Sequence, residues 1–137
     1  MRVLALDLGS KRIGIAVSDR SGTIASPLMV LQRSGRIATD HTRIKEIVEA
    51  EEAVLVVVGL PLSMNGSTGT AARAAIAEAA ALATVVGVPV ETFDERRTTV
   101  TADRILLDAG KRAPERRKII DKVAAAVILQ TWLDGRG

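Results

Sequence analysis

Apolar residues in this chain fall into short unbroken runs separated by longer stretches in which they recur every three or four positions. The first run, Val3 to Leu6, lacks polar alternation and ends in one acid, Asp7, before Gly9. It reads as a buried strand. A tight turn follows, Gly9-Ser10-Lys11-Arg12-Ile13-Gly14, and residues 13–18 return as the antiparallel partner of a hairpin. Residues 23–31 read as a third strand, with Pro27 arguing for an edge position. Residues 32–36 (QRSGR) form a polar loop. Ile44, Ile47 and Val48 then fall on one face of a helix over 38–52, with Asp40 as its cap. The β-branched run in residues 53–60 is a buried parallel strand stopped by Gly59 and Pro61.

A polar, glycine-containing loop (62–69) leads into an Ala-rich helix over 70–86, stopped by Gly87. Residues 88–93 form the next strand, ending in Asp94-Glu95-Arg96-Arg97-Thr98-Thr99. A helix over 99–109, a basic loop over 111–117 and a last helix over 117–133 complete the chain. The order predicts an α/β fold: a three-stranded antiparallel meander plus two parallel strands, making a mixed five-stranded sheet flanked by helices. No repeat or linker interrupts residues 1–137, so a single domain is expected.

Composition narrows the chemistry. There is no cysteine, so any metal must be held by oxygen or by the single His41. No apolar run approaches a membrane span, and the first strand leaves no room for a signal peptide, so a cytoplasmic protein is expected. The net charge of +3 is too small to argue for nucleic acid, but its distribution is uneven. Lys111, Arg112, Arg116, Arg117, Lys118 and Lys122 cluster, as either a solvated face or a phosphate-contacting patch. The only aromatics are Phe93 and Trp132, so nucleic acid would be gripped through backbone and shape rather than by base stacking.

Three acids stand against apolar backgrounds. Asp7 and Glu95 close predicted strands at the carboxyl edge of the sheet, where open α/β sheets bind ligands. Asp121 shares a helix face with Ala124, Ala125 and Ile128. Each has a plain structural reading: a turn cap for Asp7, an ion pair to Arg96 or Arg97 for Glu95, a dipole-satisfying acid for Asp121. Together they suit a hard cation such as Mg2+ or Mn2+, which in pairs can activate water against a phosphodiester.

The segments LDLGSKRIGIAVSD, VVGLPLSMNGSTG, FDERRTT and IDKVAAAVILQTWL resemble, in order and over nearly the whole chain, the YqgF family. Its members are small bacterial proteins of the RNase H-like fold, known as Holliday junction resolvases and as pre-16S ribosomal RNA nucleases. The resemblance implies an RNase H-like domain and a metal-dependent endonuclease. Its catalytic and metal-binding acids would be Asp7, Glu95 and Asp121, with one or two Mg2+ or Mn2+ ions. It places Arg12, Arg96 and Thr98 near the site. With Lys11, Arg116 and Arg117 these are the expected substrate contacts, and Asp94 is the nearest candidate for a fourth acid.

The expected substrate is structured RNA, in processing of the pre-16S rRNA 5′ end, or else branched DNA at a four-way junction. A non-catalytic RNA-binding assembly factor is the remaining reading. A monomer or homodimer is expected, the homodimer matching a junction's two-fold symmetry. An Asp followed by a Gly turn also opens actin-like and sugar-kinase phosphotransferases. Those need a second domain to close on ATP, and no GxxxxGK occurs here. The polar loop over 63–69 is expected to act as a flap over nucleic acid.

Overall fold

The computed structural model describes residues 1–62, 68–98 and 113–136, excluding the side chains of 97, 98 and 113–122. Strands β1 (Arg2–Leu8), β2 (Arg12–Ser18) and β3 (Ala25–Gln32) form the meander. Helix α1 (Ile37–Ala50) precedes β4 (Ala53–Leu60), α2 (Thr70–Val86) and β5 (Val90–Asp94). A 3₁₀ turn over Glu95–Thr98 follows β5, and helix α3 (Ala113–Asp134) closes the described chain. The strands lie in the order β3-β2-β1-β4-β5, with β1, β4 and β5 parallel neighbours. This is the mixed sheet that the hydrophobic pattern predicts.

Period-two alternation divides the core into two layers. Leu4 and Leu6 of β1, Ile13 and Ile15 of β2, and Val56 and Val58 of β4 face α1 and α2, meeting Ile44, Val48, Leu82 and Val86. Val3, Ala5, Ala16, Leu55 and Val57 face α3, meeting Ala125, Ile128, Leu129 and Trp132. Parallel strands covered on both faces need no polar side, which is why β4 reads as a continuous apolar run. Gln130 of α3 pins the entry to β3: its amide oxygen accepts from the Ala25 amide at 2.9 Å and its nitrogen donates to the Thr23 carbonyl at 3.0 Å.

Several boundaries differ from the sequence expectation. Strand β3 is an edge strand, as Pro27 implies, and Pro27 pairs with Ala16 beside a register shift, where its missing N–H costs little. Asp40 does not cap α1. The helix starts at Ile37 with Arg36 at the cap position, and the buried Asp40 carboxylate turns back to accept the Ser34 amide at 2.9 Å. Helix α3 begins at Ala113, so Arg116 and Arg117 lie on its first turns rather than in a loop. Pro114 fits there because first-turn amides have no intrahelical acceptor to lose. The expected helix over 99–109 and the core of the 63–69 loop fall outside the described residues. Among the described residues no helix is long and apolar enough to cross a membrane.

Candidate active site at the carboxyl edge of the sheet

The α3-facing alternation continues past the apolar core into charge. On β1 the series Val3, Ala5 leads to Asp7. On β5 it runs through Glu91, which accepts the Trp132 indole N–H at 3.2 Å, and Phe93 to Glu95. On β4, between them, the series Leu55, Val57 ends in Gly59, paired with Phe93. The two acids therefore close strands separated by one intervening strand, on one face of the sheet, with a glycine between them.

Gly59 is what lets that geometry close. A Cβ at this position would lie 2.6 Å from Ile128 Cδ1 and 2.9 Å from Glu95 Cγ. The Glu95 side chain thus lies down over the Gly59 backbone, pressed there by α3. Burial, first, and then the charges of Asp7 and Asp94 push the Glu95 carboxyl up to about 7. A buried glutamate with a raised pKa, beside a second acid at the carboxyl edge of the sheet, is the pattern of a candidate functional site.

The positions of the other expected residues are as follows. Arg12 opens β2 on the Asp7 face, two residues before Gly14, the cross-strand partner of Asp7. Lys11 is exposed in the preceding turn. Arg96 pairs with Asp94: its Nε donates to both Asp94 oxygens at 2.9 and 3.0 Å, and its amide donates to Asp94 Oδ1 at 3.0 Å. The Asp94 interaction raises the Arg96 pKa further. Asp94 lies in the alternate series with Val90 and Thr92, so it turns away from the α3 face that carries Glu95. Its carboxylate is committed to orienting Arg96.

Thr98 ends the 3₁₀ turn, and Asp121 lies on α3 one turn before Ala125 and two turns before Ile128, both buried on the sheet. The side chains of Thr98, Arg116, Arg117 and Asp121 are outside the described residues. Among the described residues, no group of three potential metal ligands converges. Asp7 and Glu95 are two acids brought near each other. The donor chemistry still fits a hard divalent ion: both are oxygen ligands, their like charges are in mutual conflict, and a cation between them would relieve it.

Two features escaped the sequence reading. Gly59 was read only as the end of a strand, although it continues the α3-facing series of β4. Arg33, in the loop read as merely polar, forms a two-pronged ion pair with Glu78 of α2 at 2.8 and 2.9 Å. His41 joins them, its Nε2 lying 2.9 Å from Glu78 Oε2. His41 is thus engaged in the opposite layer of the core, away from the acids.

A family model described as RuvX, Holliday junction resolvase, matches residues 1–135. A relative from Moorella thermoacetica is 47% identical over 137 residues, covering 100% of this chain and 97% of its own. One from Pelotomaculum thermopropionicum is 44% identical over 137 residues, covering 100% of this chain and 89% of its own. Both are provisionally named pre-16S rRNA nucleases. Among solved structures, Thermus thermophilus RuvC in complex with a Holliday junction substrate superposes with a TM-score of 0.66 at 21% identity, covering 99% of this chain and 95% of the other. That likeness identifies the fold as RNase H-like. With a family match over nearly its full length and relatives this similar across it, the chain belongs to the RuvX (YqgF) family.

Proposed function

We propose that this protein is a divalent-metal-dependent endonuclease that hydrolyses phosphodiester bonds in structured RNA, trimming the 5′ end of the 16S rRNA precursor in the cytoplasm. The observation that carries this reading is the pairing of Asp7 with a Glu95 pushed up to about 7, over Gly59, at the carboxyl edge of an RNase H-like sheet. The names of the relatives at 44% and 47% identity point to ribosomal RNA rather than DNA.

Asp7, Glu95 and Asp121 would hold one or two Mg2+ or Mn2+ ions. Bound there, such an ion lowers the pKa of a coordinated water and offsets the charge that builds on the phosphate. The chain's own residues do the rest. Asp7 and Glu95 supply ionised oxygens, and Glu95 loses its proton readily once a cation adjoins it. Arg96, oriented by Asp94 through Nε and Nη2, would bring its positive charge to a phosphate beside Glu95, and Thr98 lies at the end of the same turn. Lys11 and Arg12 flank Asp7 and would hold the substrate backbone on the other side. Arg116 and Arg117, on the first turns of α3, extend the positive surface for a structured substrate.

The chain acts as one domain over residues 1–137, and an RNA precursor requires no two-fold enzyme. The family description favours a second reading, resolution of four-way DNA junctions, for which a homodimer would match the substrate. The discriminating experiment incubates the protein with Mg2+ or Mn2+ and, in parallel, a 16S precursor with its 5′ extension, a four-way DNA junction and a linear duplex. Cleavage of the precursor alone, lost in Asp7→Asn, is expected. Symmetric nicking of the junction with an intact precursor would move the assignment to DNA. Binding without cleavage of any substrate would leave an assembly factor.

A further inference from the structure

The β1–β2 turn carries Lys11 and Arg12. The Gly9 amide reaches the Arg12 carbonyl at 2.9 Å and the Asp7 carbonyl at 3.1 Å. A Cβ on Gly9 would lie 2.5 Å from the Arg12 oxygen, so the turn admits no side chain there. Between the turn (Leu8, Gly9, Ser10) and the small residues Ala71, Ala74 and Ala75 of α2 lies a cavity of about 300 Å³. Among the described residues, side-chain packing does not close that gap. Hydrogen bonds from Arg33 cross it.

Arg33 grips the turn at two points. Its Nε donates to the Gly9 carbonyl at 2.7 Å and its amide donates to the Lys11 carbonyl at 2.9 Å. The other two guanidinium nitrogens donate to Glu78 at 2.9 and 2.8 Å, and the third element, α1, holds Glu78 through His41. The Arg33 and Glu78 side chains are 14% and 11% exposed and His41 is 2% exposed. Burial alone would raise the Glu78 carboxyl, but the bonds from Arg33 and His41 outweigh it and hold the group below its ordinary value. Apolar side chains of similar volume would stabilise the fold about as well as such a pair, whereas only a planar fork bonds a carboxylate and a backbone carbonyl together.

The geometry points to Arg33 as a positioning residue for substrate binding: locked by Glu78 and His41, it sets the β1–β2 turn so that Lys11 and Arg12 meet nucleic-acid phosphates beside Asp7. This rests on the nuclease reading above. Its consequence is a split in kinetic effects. Loss of the fork should loosen the turn and weaken substrate binding, while Asp7, held within the β1 ladder opposite Gly14, keeps its place. A purely structural role would lower stability and active fraction without changing affinity.

The test compares Arg33→Met and Arg33→Lys with the parent protein, each below its own melting temperature. Arg33→Met should raise KM for the cleaved RNA, and Kd measured in calcium, by roughly tenfold, with kcat changed less than about threefold. Arg33→Lys, which can reach one acceptor but not both, should fall between. In a Lys11→Ala, Arg12→Ala background, Arg33→Met should weaken binding no further. Amide hydrogen exchange at Ser10, Lys11 and Arg12 supplies a readout independent of cleavage, and it should quicken in Arg33→Met. A fall in kcat at constant KM, additive losses in the combined variant, or unchanged exchange in the turn would overturn the proposal. A parent protein that neither binds nor cleaves RNA would overturn the nuclease reading, while the exchange result would still decide whether Arg33 sets the turn.

Discussion

Glu78 and Glu95 are the same type of residue, each partly buried near the carboxyl edge of the sheet, yet their carboxyl groups are pushed in opposite directions. Glu78 faces α1 and finds a complete set of donors in Arg33 and His41, so its pKa falls. Glu95 faces α3, and burial, together with the charges of the acids Asp7 and Asp94, raises its pKa to about 7. Of the two arginines that sequence offers to Glu95, Arg96 binds Asp94, and the side chain of Arg97 lies outside the described residues. One layer of the molecule thus pairs its buried carboxylate with an arginine and a histidine, and the other sets acids beside one another, a repulsion that an external cation would reduce. Burial of an acid is therefore not by itself the signal of function; burial beside further acids, with a raised pKa, is the stronger one.

The largest expected effect lies on the unresolved side. Asp7→Asn or Glu95→Gln should reduce phosphodiester cleavage by about 10³-fold or more, because each removes an ionised oxygen from the place where a metal would sit. The same variants should be at least as stable as the parent in chelator at pH 8, since each removes a like-charge clash. A variant that lost activity only in proportion to lost folding would break the contrast. Glu78→Ala should behave in the opposite way. It leaves the Arg33 guanidinium buried without its carboxylate, a loss of about 3 kcal/mol, read by denaturant unfolding.

Gly59→Ala sharpens the comparison from the backbone. The added carbon would meet Ile128 and Glu95 inside their contact distances, and overpacking of this kind costs about 1–3 kcal/mol. If Glu95 yields rather than Ile128, its carboxyl leaves Asp7 and its pKa falls back toward the ordinary range. Cleavage should then drop by more than the stability loss explains. A variant with parent-like activity and a raised Glu95 pKa would show that the glycine has no part in holding the acid.

The architecture was legible because each buried face leaves a periodic trace: alternation through Val3, Ala5 and Asp7, continuous β-branching in β4, three- and four-residue spacing in α1 and α2. Asp7 and Glu95 could be found as breaks in those traces. Less accessible was anything that depends on a distant partner. Arg33 lies 45 residues from Glu78, and no local pattern tells a loop arginine from a buried fork. Asp40 has the residue type of a cap, but it lies three positions inside the helix start, and its carboxylate accepts the amide of Ser34 in the preceding loop. Helix α3 starts at Ala113, ahead of the expected residue 117, because its first turn accommodates Pro114 within a stretch whose charges read as a loop.

The smallest effect is a pH dependence that only the α3 layer should show. In chelator, the unfolded chain binds a proton at Glu95 with the ordinary value of 4.5, and the folded chain with a value of about 7. Between these values the folded state holds the extra proton, so stability contributed by this group is full below about 4.5 and is lost as pH rises through about 7. A shift of this size, discounted because the carboxyl is only partly shielded from solvent, amounts to about 1–2 kcal/mol. Glu95→Gln should flatten that slope. Glu78 works in the other direction: its depressed value makes its contribution present above the ordinary carboxylate range and lost only as pH falls below it. Thermal unfolding of the parent and Glu95→Gln from pH 4.5 to 8, each with chelator and with Mg2+, therefore separates the two layers. Magnesium should restore stability to the parent most strongly above pH 7, where both acids are ionised, and should do far less for Glu95→Gln. Equal slopes for the two proteins in chelator would mean that the Glu95 carboxyl meets enough water to ionise normally, and the contrast with Glu78 would then rest on hydrogen bonding alone.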